Sequence, residues 1–85
     1  QRKKFTIATY NSGKSHILDA QRLAIKYGLD PNVWDDNVEK MVLNLSKRKF
    51  YKDPVVKSGI AKGSVTYNYV KEIFQRYEMW CSIYD

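Results

Sequence analysis

The apolar positions of the chain recur mostly at three- and four-residue steps, the spacing that places side chains on one face of an α-helix. Phe5, Ile7, Ala8 and Tyr10 form a first short stretch that stops at Asn11-Ser12-Gly13. Asn and Gly tolerate the left-handed backbone that ends a helix, because the Cβ penalty there is small or absent. From Ser15 onward Ile17, Ala20, Ala24 and Tyr27, with Leu23 beside them, mark a second helical face, and Gly28 stands where a C-terminal glycine belongs. Asp30-Pro31 predicts the start of a third helix, since the carboxylate accepts from free amides and proline at the first position loses no hydrogen bond. Asp35 and Asp36 suit the positive end of its dipole, and Trp34, Val38, Met41, Val42 and Leu45 mark its apolar face. The stretch 46–62 reads as an extended surface connection, with turn signals at Asp53-Pro54 and Ser58-Gly59. Gly63-Ser64 begins the strongest helix, whose face is Val70, Ile73, Phe74, Tyr77, Cys81 and Tyr84. Only 3–10, rich in Thr, Ile and aromatics, has any strand character. The expected class is all-α, with about three to four helices.

Composition narrows this reading. The 85 residues allow one small domain and exclude a two-domain enzyme. A chain of this size hides only roughly 60% of its unfolded surface, so its core is sensitive to shape. The hydrophobic fraction of 44% is too high for a disordered tail. The single cysteine, Cys81, excludes an internal disulfide, and Cys81 with His16 cannot supply the four ligands of a structural zinc site. No apolar run approaches the roughly 20 residues of a membrane span. The chain begins at Gln1 rather than Met and reads as a cut or processed piece. Its net charge of +6 suits nucleic acid, an anionic membrane or a polyanionic cell wall, and suits equally a solvated surface. The basic residues never form a sustained block, so charge does not decide among these.

Most catalytic patterns are missing. Gly13-Lys14-Ser15 echoes the end of a phosphate-binding loop, but position 8 is alanine where the upstream glycine belongs. His16 and Asp19, three apart, have the spacing of a base and its orienting carboxylate, or of a plain ion pair. Cys81, on an apolar face, reads as an inert buried thiol. Trp34, Trp80 and the seven tyrosines suit stacking on sugars or bases, and suit a helical core at least as well.

A more specific cluster is Ala8-Thr9-Tyr10-Asn11-Ser12-Gly13, of the form A-x-Y-N-x-G, followed far downstream by Ala61-Lys62-Gly63 and Tyr67-Asn68-Tyr69-Val70-Lys71-Glu72-Ile73. This pairing resembles the C-terminal half of the lytic murein transglycosylase catalytic domain, a goose-lysozyme-like all-α fold. Gly13 to Ala24 and Asp30-Pro31-Asn32-Val33-Trp34-Asp35-Asp36, the latter of the form D-P-x-x-W-x-D, resemble the membrane-bound lytic transglycosylase F branch. The resemblance runs from about Phe5 to Trp80, and assigns 1–85 to a C-terminal portion of such a domain.

The resemblance implies cleavage of the β-1,4 bond between N-acetylmuramic acid and N-acetylglucosamine in peptidoglycan. One glutamic acid acts first as acid and then as base, and the muramic C6 hydroxyl replaces water to give a 1,6-anhydro sugar. That differs from the two-carboxylate glycosidase arrangement, because the internal hydroxyl is already held near the reacting carbon. The family places this glutamate in an E-S motif, followed by G-L-M-Q, both before the A-x-Y-N region. Neither motif occurs here, and Glu39, Glu72 and Glu78 fall outside the matching position. The chain is therefore expected to hold no catalytic residue of its own and to be inactive alone, within a parent that is an enzyme.

The resemblance makes Tyr10 and Asn11 the cleft-lining Y-N pair. It makes Tyr69 the tyrosine that approaches the acid from the opposite side, with Tyr67 as its neighbour. Tyr10 and Asn11 also read as a core aromatic and a helix-ending residue, and Tyr69 as a packing tyrosine. Lys62 stands where the family has arginine, keeping the charge but losing the bidentate fork. Expected partners are peptidoglycan strands and the remainder of the catalytic domain. No nucleic acid, cofactor or metal is expected, and the parent is placed in the cell envelope, periplasmic and anchored to the outer membrane. The alternative is a non-catalytic basic helical module that binds peptidoglycan or nucleic acid, the latter with a steep dependence on salt.

Overall fold

In the computed structural model, which describes residues 1–84 with Tyr84 given by its backbone alone, the chain is all-α. Five helices occur among the described residues rather than three to four: α1 (Arg2–Ser12), α2 (Lys14–Lys26), α3 (Glu39–Asn44), α4 (Arg48–Tyr51) and α5 (Gly63–Tyr84). The strand character of 3–10 is overridden, because this segment packs along α5 as a helix. The face position expected for Tyr84 lies outside the described side chains.

Gly13, at φ 91°, ends α1 and precedes α2, so one residue with no Cβ turns the chain between two helices. At the far end of α2, Gly28 has φ 79° and the Leu29 N–H donates to the Ala24 carbonyl at 2.7 Å, satisfying a carbonyl the helix itself leaves free.

The third helix does not start at Asp30-Pro31. Asp30 uses its carboxylate on the Asn32 N–H at 2.8 Å, forming a local turn, and its own N–H donates to Asn37 Oδ1 at 2.9 Å. Asp35 is extended (ψ 127°) and Asp36 left-handed (φ 58°), so regular helix begins only at Glu39. Glu39 Oε1 accepts the Asp36 N–H at 3.1 Å, satisfying an amide at the helix start. The apolar face predicted there is nonetheless buried in full, because Trp34 and Val38 reach the core from this turn and Met41, Val42 and Leu45 from α3 and its end.

The core joins Ala8 of α1, Ile17, Ala20, Leu23 and Ala24 of α2, the Trp34–Leu45 group and Val70 of α5. Phe5 meets Trp34 edge to face at 5.6 Å between ring centres. Burying side chains the size of Leu23 or Leu45 contributes about 1.5–3 kcal/mol each. Only the first half of α5 is buried this way. Its last turns carry exposed Met79, Trp80 and Ile83, and Cys81 is half-buried rather than enclosed. No helix of the described residues is long and apolar enough to cross a membrane.

The connection 46–62 is more than a surface loop. It contains the single turn α4, and two carboxylates fasten it to α2. Asp19, fully buried, accepts from the Lys57 N–H (2.9 Å), the Ser58 N–H (2.8 Å) and Arg22 Nη1 (2.8 Å). Asp53 accepts from Lys26 Nζ on α2 and from the Val55 N–H at 3.0 Å. Lys26 and then the Val55 amide hold the Asp53 carboxyl below its ordinary 3.8, and Asp53 in turn raises Lys26 above 10.5. A carboxyl lowered in the folded state stabilises the fold above its ordinary value, and that contribution is lost as pH falls through the lowered folded value. A lysine raised in the folded state contributes below pH 10.5, and the contribution is lost as pH rises through the raised value. Asp53→Asn is therefore expected to reduce the loss of melting temperature on acidification below pH 4–5, on the order of the carboxylate range. Melting curves of both proteins through that range test this, and identical acid limbs would refute the role of Asp53.

Candidate functional site

The two long helices that carry the expected site residues run antiparallel. Lys3, near the start of α1, donates to the Tyr77 hydroxyl, and Lys4 Nζ stands 4.5 Å over the Phe74 ring. At the other end of α1, Asn11 Oδ1 accepts from the Thr66 hydroxyl of α5 at 2.8 Å. Thr66 is buried, so this bond fixes the end of α1 against the first turn of α5.

The geometry of α5 then sorts the two tyrosines. Residues two apart on an α-helix lie roughly opposite one another, whereas residues three apart share a face. Tyr69 follows Thr66 by three, on the same side of the helix, and is half-buried. Tyr67 points the other way, into a cleft of about 240 Å³ lined with Trp34, Glu39, Val70, Phe74 and Glu78. Asn11 thus meets α5 through Thr66, and Tyr67 faces the cleft beside Phe74. Tyr10 is 85% exposed, which removes its reading as a core aromatic and leaves the phenol open to a partner.

A second cleft, of about 370 Å³, opens where the end of α1, the start of α2 and the start of α5 meet. Asn11, His16, Ile60, Lys62, Val65 and Thr66 line it. His16 and Asp19 do not form a base–carboxylate pair: both Asp19 oxygens are taken by Arg22 and the two loop amides, and His16 Nδ1 is buried with no partner. This cleft was not legible in the sequence. Residues 11, 16, 60, 62 and 65 meet only because Asp19 and Asp53 fold the connection back over α2, and the one local signal was the helix start at Gly63-Ser64 beside Lys62.

One pair of charges beside the first cleft is fastened. Lys4 Nζ bonds both Asp35 oxygens, at 2.7 and 2.8 Å, and Gln1 Nε2 adds a third bond at 3.0 Å. Lys4 and then Gln1 hold the Asp35 carboxyl below its ordinary value. Among the described residues no group of His, Cys, Asp or Glu is placed to hold a metal ion.

No protein-family model matches the sequence. Over 78 residues, 92% of its length, the chain is 41% identical to "Membrane-bound lytic murein transglycosylase F" of Shewanella denitrificans and covers 15% of that protein. It is likewise 41% identical to the protein of that name from Shewanella loihica, covering 16% of it, and 40% identical to that from Shewanella oneidensis. The chain therefore spans about one sixth of the length of the curated relatives it matches. The resemblance first carried by A-x-Y-N-x-G holds across nearly all of these 85 residues, and the chain is related to a segment of the membrane-bound lytic murein transglycosylases F.

Proposed function

We propose that this chain forms one wall of the catalytic cleft of a peptidoglycan-cleaving lytic transglycosylase in the cell envelope, and that the acid residue comes from elsewhere in the parent protein. The observation that carries this reading is the 41% identity over 92% of the chain to transglycosylases of that name. The bond that holds Asn11 against the first turn of α5, with the Tyr10 phenol exposed beside it in sequence, supports it. In this reading a glutamic acid from outside the chain protonates the leaving oxygen, then takes the proton of the muramic C6 hydroxyl as that oxygen closes on the anomeric carbon. Tyr69 donates a hydrogen bond to the carboxyl, and Asn11 holds the turn and the sugar. Tyr67, in the cleft with Trp34 and Phe74, is placed beside the substrate and away from the carboxyl. The exposed Tyr10 faces the remainder of the catalytic domain, and the parent is held at the outer membrane on its periplasmic side.

Digestion of purified peptidoglycan by the parent protein and by the 85-residue chain tests this, with products read by mass. Ends lighter by one water, the mark of a 1,6-anhydro sugar, are expected from the parent alone. Tyr69→Phe in the parent is expected to lower kcat by about ten- to hundredfold, the worth of one hydrogen bond to a charged group. Tyr67→Phe should lower kcat by less, because Tyr67 makes no bond to the carboxyl in this reading. Water-added ends, or no cleavage by a folded parent, would overturn the reading.

A further inference from the structure

The cleft between the end of α1 and the starts of α2 and α5 offers a set of hydrogen-bond donors, of which only Asn11 has a place in the cleavage reading. Asn11 Oδ1 is occupied by the Thr66 hydroxyl, which leaves the Asn11 Nδ2 hydrogens for a ligand. His16 Nδ1 is buried and without a partner, while the residue as a whole stays partly exposed. Nδ1 is unpaired in either neutral tautomer, and a proton on Nε2 is the arrangement that gives the ring a donor outside its buried edge. Lys62, exposed at the rim, adds a positive charge, and no acidic side chain lines the cleft among the described residues. Beside these donors Ile60 and Val65, 59% and 55% exposed, form an apolar wall.

We propose that this cleft binds a carboxylate carried next to a methyl group, with its oxygens on His16, Lys62 and Asn11 and its methyl on Ile60 and Val65. Charge-assisted bonds from two or three donors fix the carboxylate, and the branched carbon covers apolar surface that otherwise faces water. In peptidoglycan the same CH(CH3)–COO⁻ group occurs on the lactyl ether of muramic acid where no peptide is attached, and at the alanyl end of a peptide stem. The choice of these two sources rests on the peptidoglycan reading; the preference for a carboxylate rests on the donor set alone.

Because His16 is the chain's one histidine, its ring nitrogens can be followed by NMR in ¹⁵N-histidine-labelled protein without overlap. The chain is titrated at one neutral pH with N-acetylmuramic acid, with N-acetyl-D-alanine and with the uncharged N-acetylglucosamine. The expected result is an Nε2–H tautomer in the free chain and a saturable shift of the ring nitrogens with at least one carboxylate. Binding should be about tenfold weaker in Lys62→Gln, whose exposed side chain makes the substitution harmless to folding. A response to muramate alone places the source in the lactyl group, and a response to the alanine derivative alone places it in the stem. An Nδ1–H tautomer, no saturation with either carboxylate, an equal response to N-acetylglucosamine, or undiminished binding in Lys62→Gln would overturn the proposal. Failure of the cleavage reading is distinct: the parent would give no anhydro ends while these titrations still saturate.

Discussion

Gly63→Ala will destabilise the fold by about 3 kcal/mol or more, at the upper end of what overpacking costs. Gly63 is buried where α5 begins, and an added Cβ would stand on the Val42 carbonyl and within 2.9 Å of Leu43 Cα. Both obstacles are backbone of α3, so no side chain can rotate away and the two helices must part. Their separation would open the core around Val42 and Val70, where the contact between α3 and α5 is closed. For a domain of this size the melting temperature should fall by roughly 12 °C or more. Gly59→Ala is the comparison: its φ of 75° strains an alanine by about 1–2 kcal/mol, but the space around it is open. Melting curves that rank the two variants equally would show that the α3–α5 approach is looser than described.

Asp19→Ala is expected to cost about 3 kcal/mol by a different route. It removes the one acceptor of the Lys57 and Ser58 amides and leaves both without a partner beside α2. Arg22, partly exposed, can turn to water, so the ion pair itself accounts for little of the loss. Asp19→Asn retains one accepting oxygen and should fall between the wild type and Asp19→Ala. The effect is local before it is global. Hydrogen exchange at Lys57 and Ser58 should accelerate in Asp19→Ala at conditions where the amides of α2 remain protected. Unchanged protection at both residues would refute the fastening of the connection by Asp19.

How far the fold was legible from the chain can be judged from these same residues. The ends of α1 and α2 were readable because Gly13 and Gly28 solve a local steric problem, a positive φ, that few other residues solve. The start of α3 was not. Asp30-Pro31 carries a valid helix-start signal, but Asn37, Glu39, Lys4 and Gln1 compete for the same backbone and carboxylates, and the helix begins nine residues later, at Glu39. Local propensity loses there to contacts between residues far apart in the chain. The number of helices was low for a related reason: α4 is a single turn, too short to show a period.

The candidate site divides in the same way. Tyr10, Asn11, Tyr67 and Tyr69 could be named from motif and spacing, because a resemblance is carried by residue identity in order along the chain. Which of them share a surface could not, because flank is a property of helix rotation against a neighbour. The bond from Thr66 to Asn11 brings the end of α1 to the first turn of α5, and Tyr67 lines a cleft with Trp34 and Phe74.

By itself the sequence determined the helical class, the apolar faces of α2, α3 and the first half of α5, and the kinship with lytic transglycosylases. All of these are written in local order, as periodicity, caps and motifs. Only the tertiary structure decided that Asp19 fastens a loop instead of orienting His16, that Gly63 is needed for close approach, and that Asn11, His16 and Lys62 surround one cleft. Those outcomes depend on which distant groups satisfy a buried carboxylate, a carbonyl or an amide once the helices pack, and a linear pattern does not carry that choice.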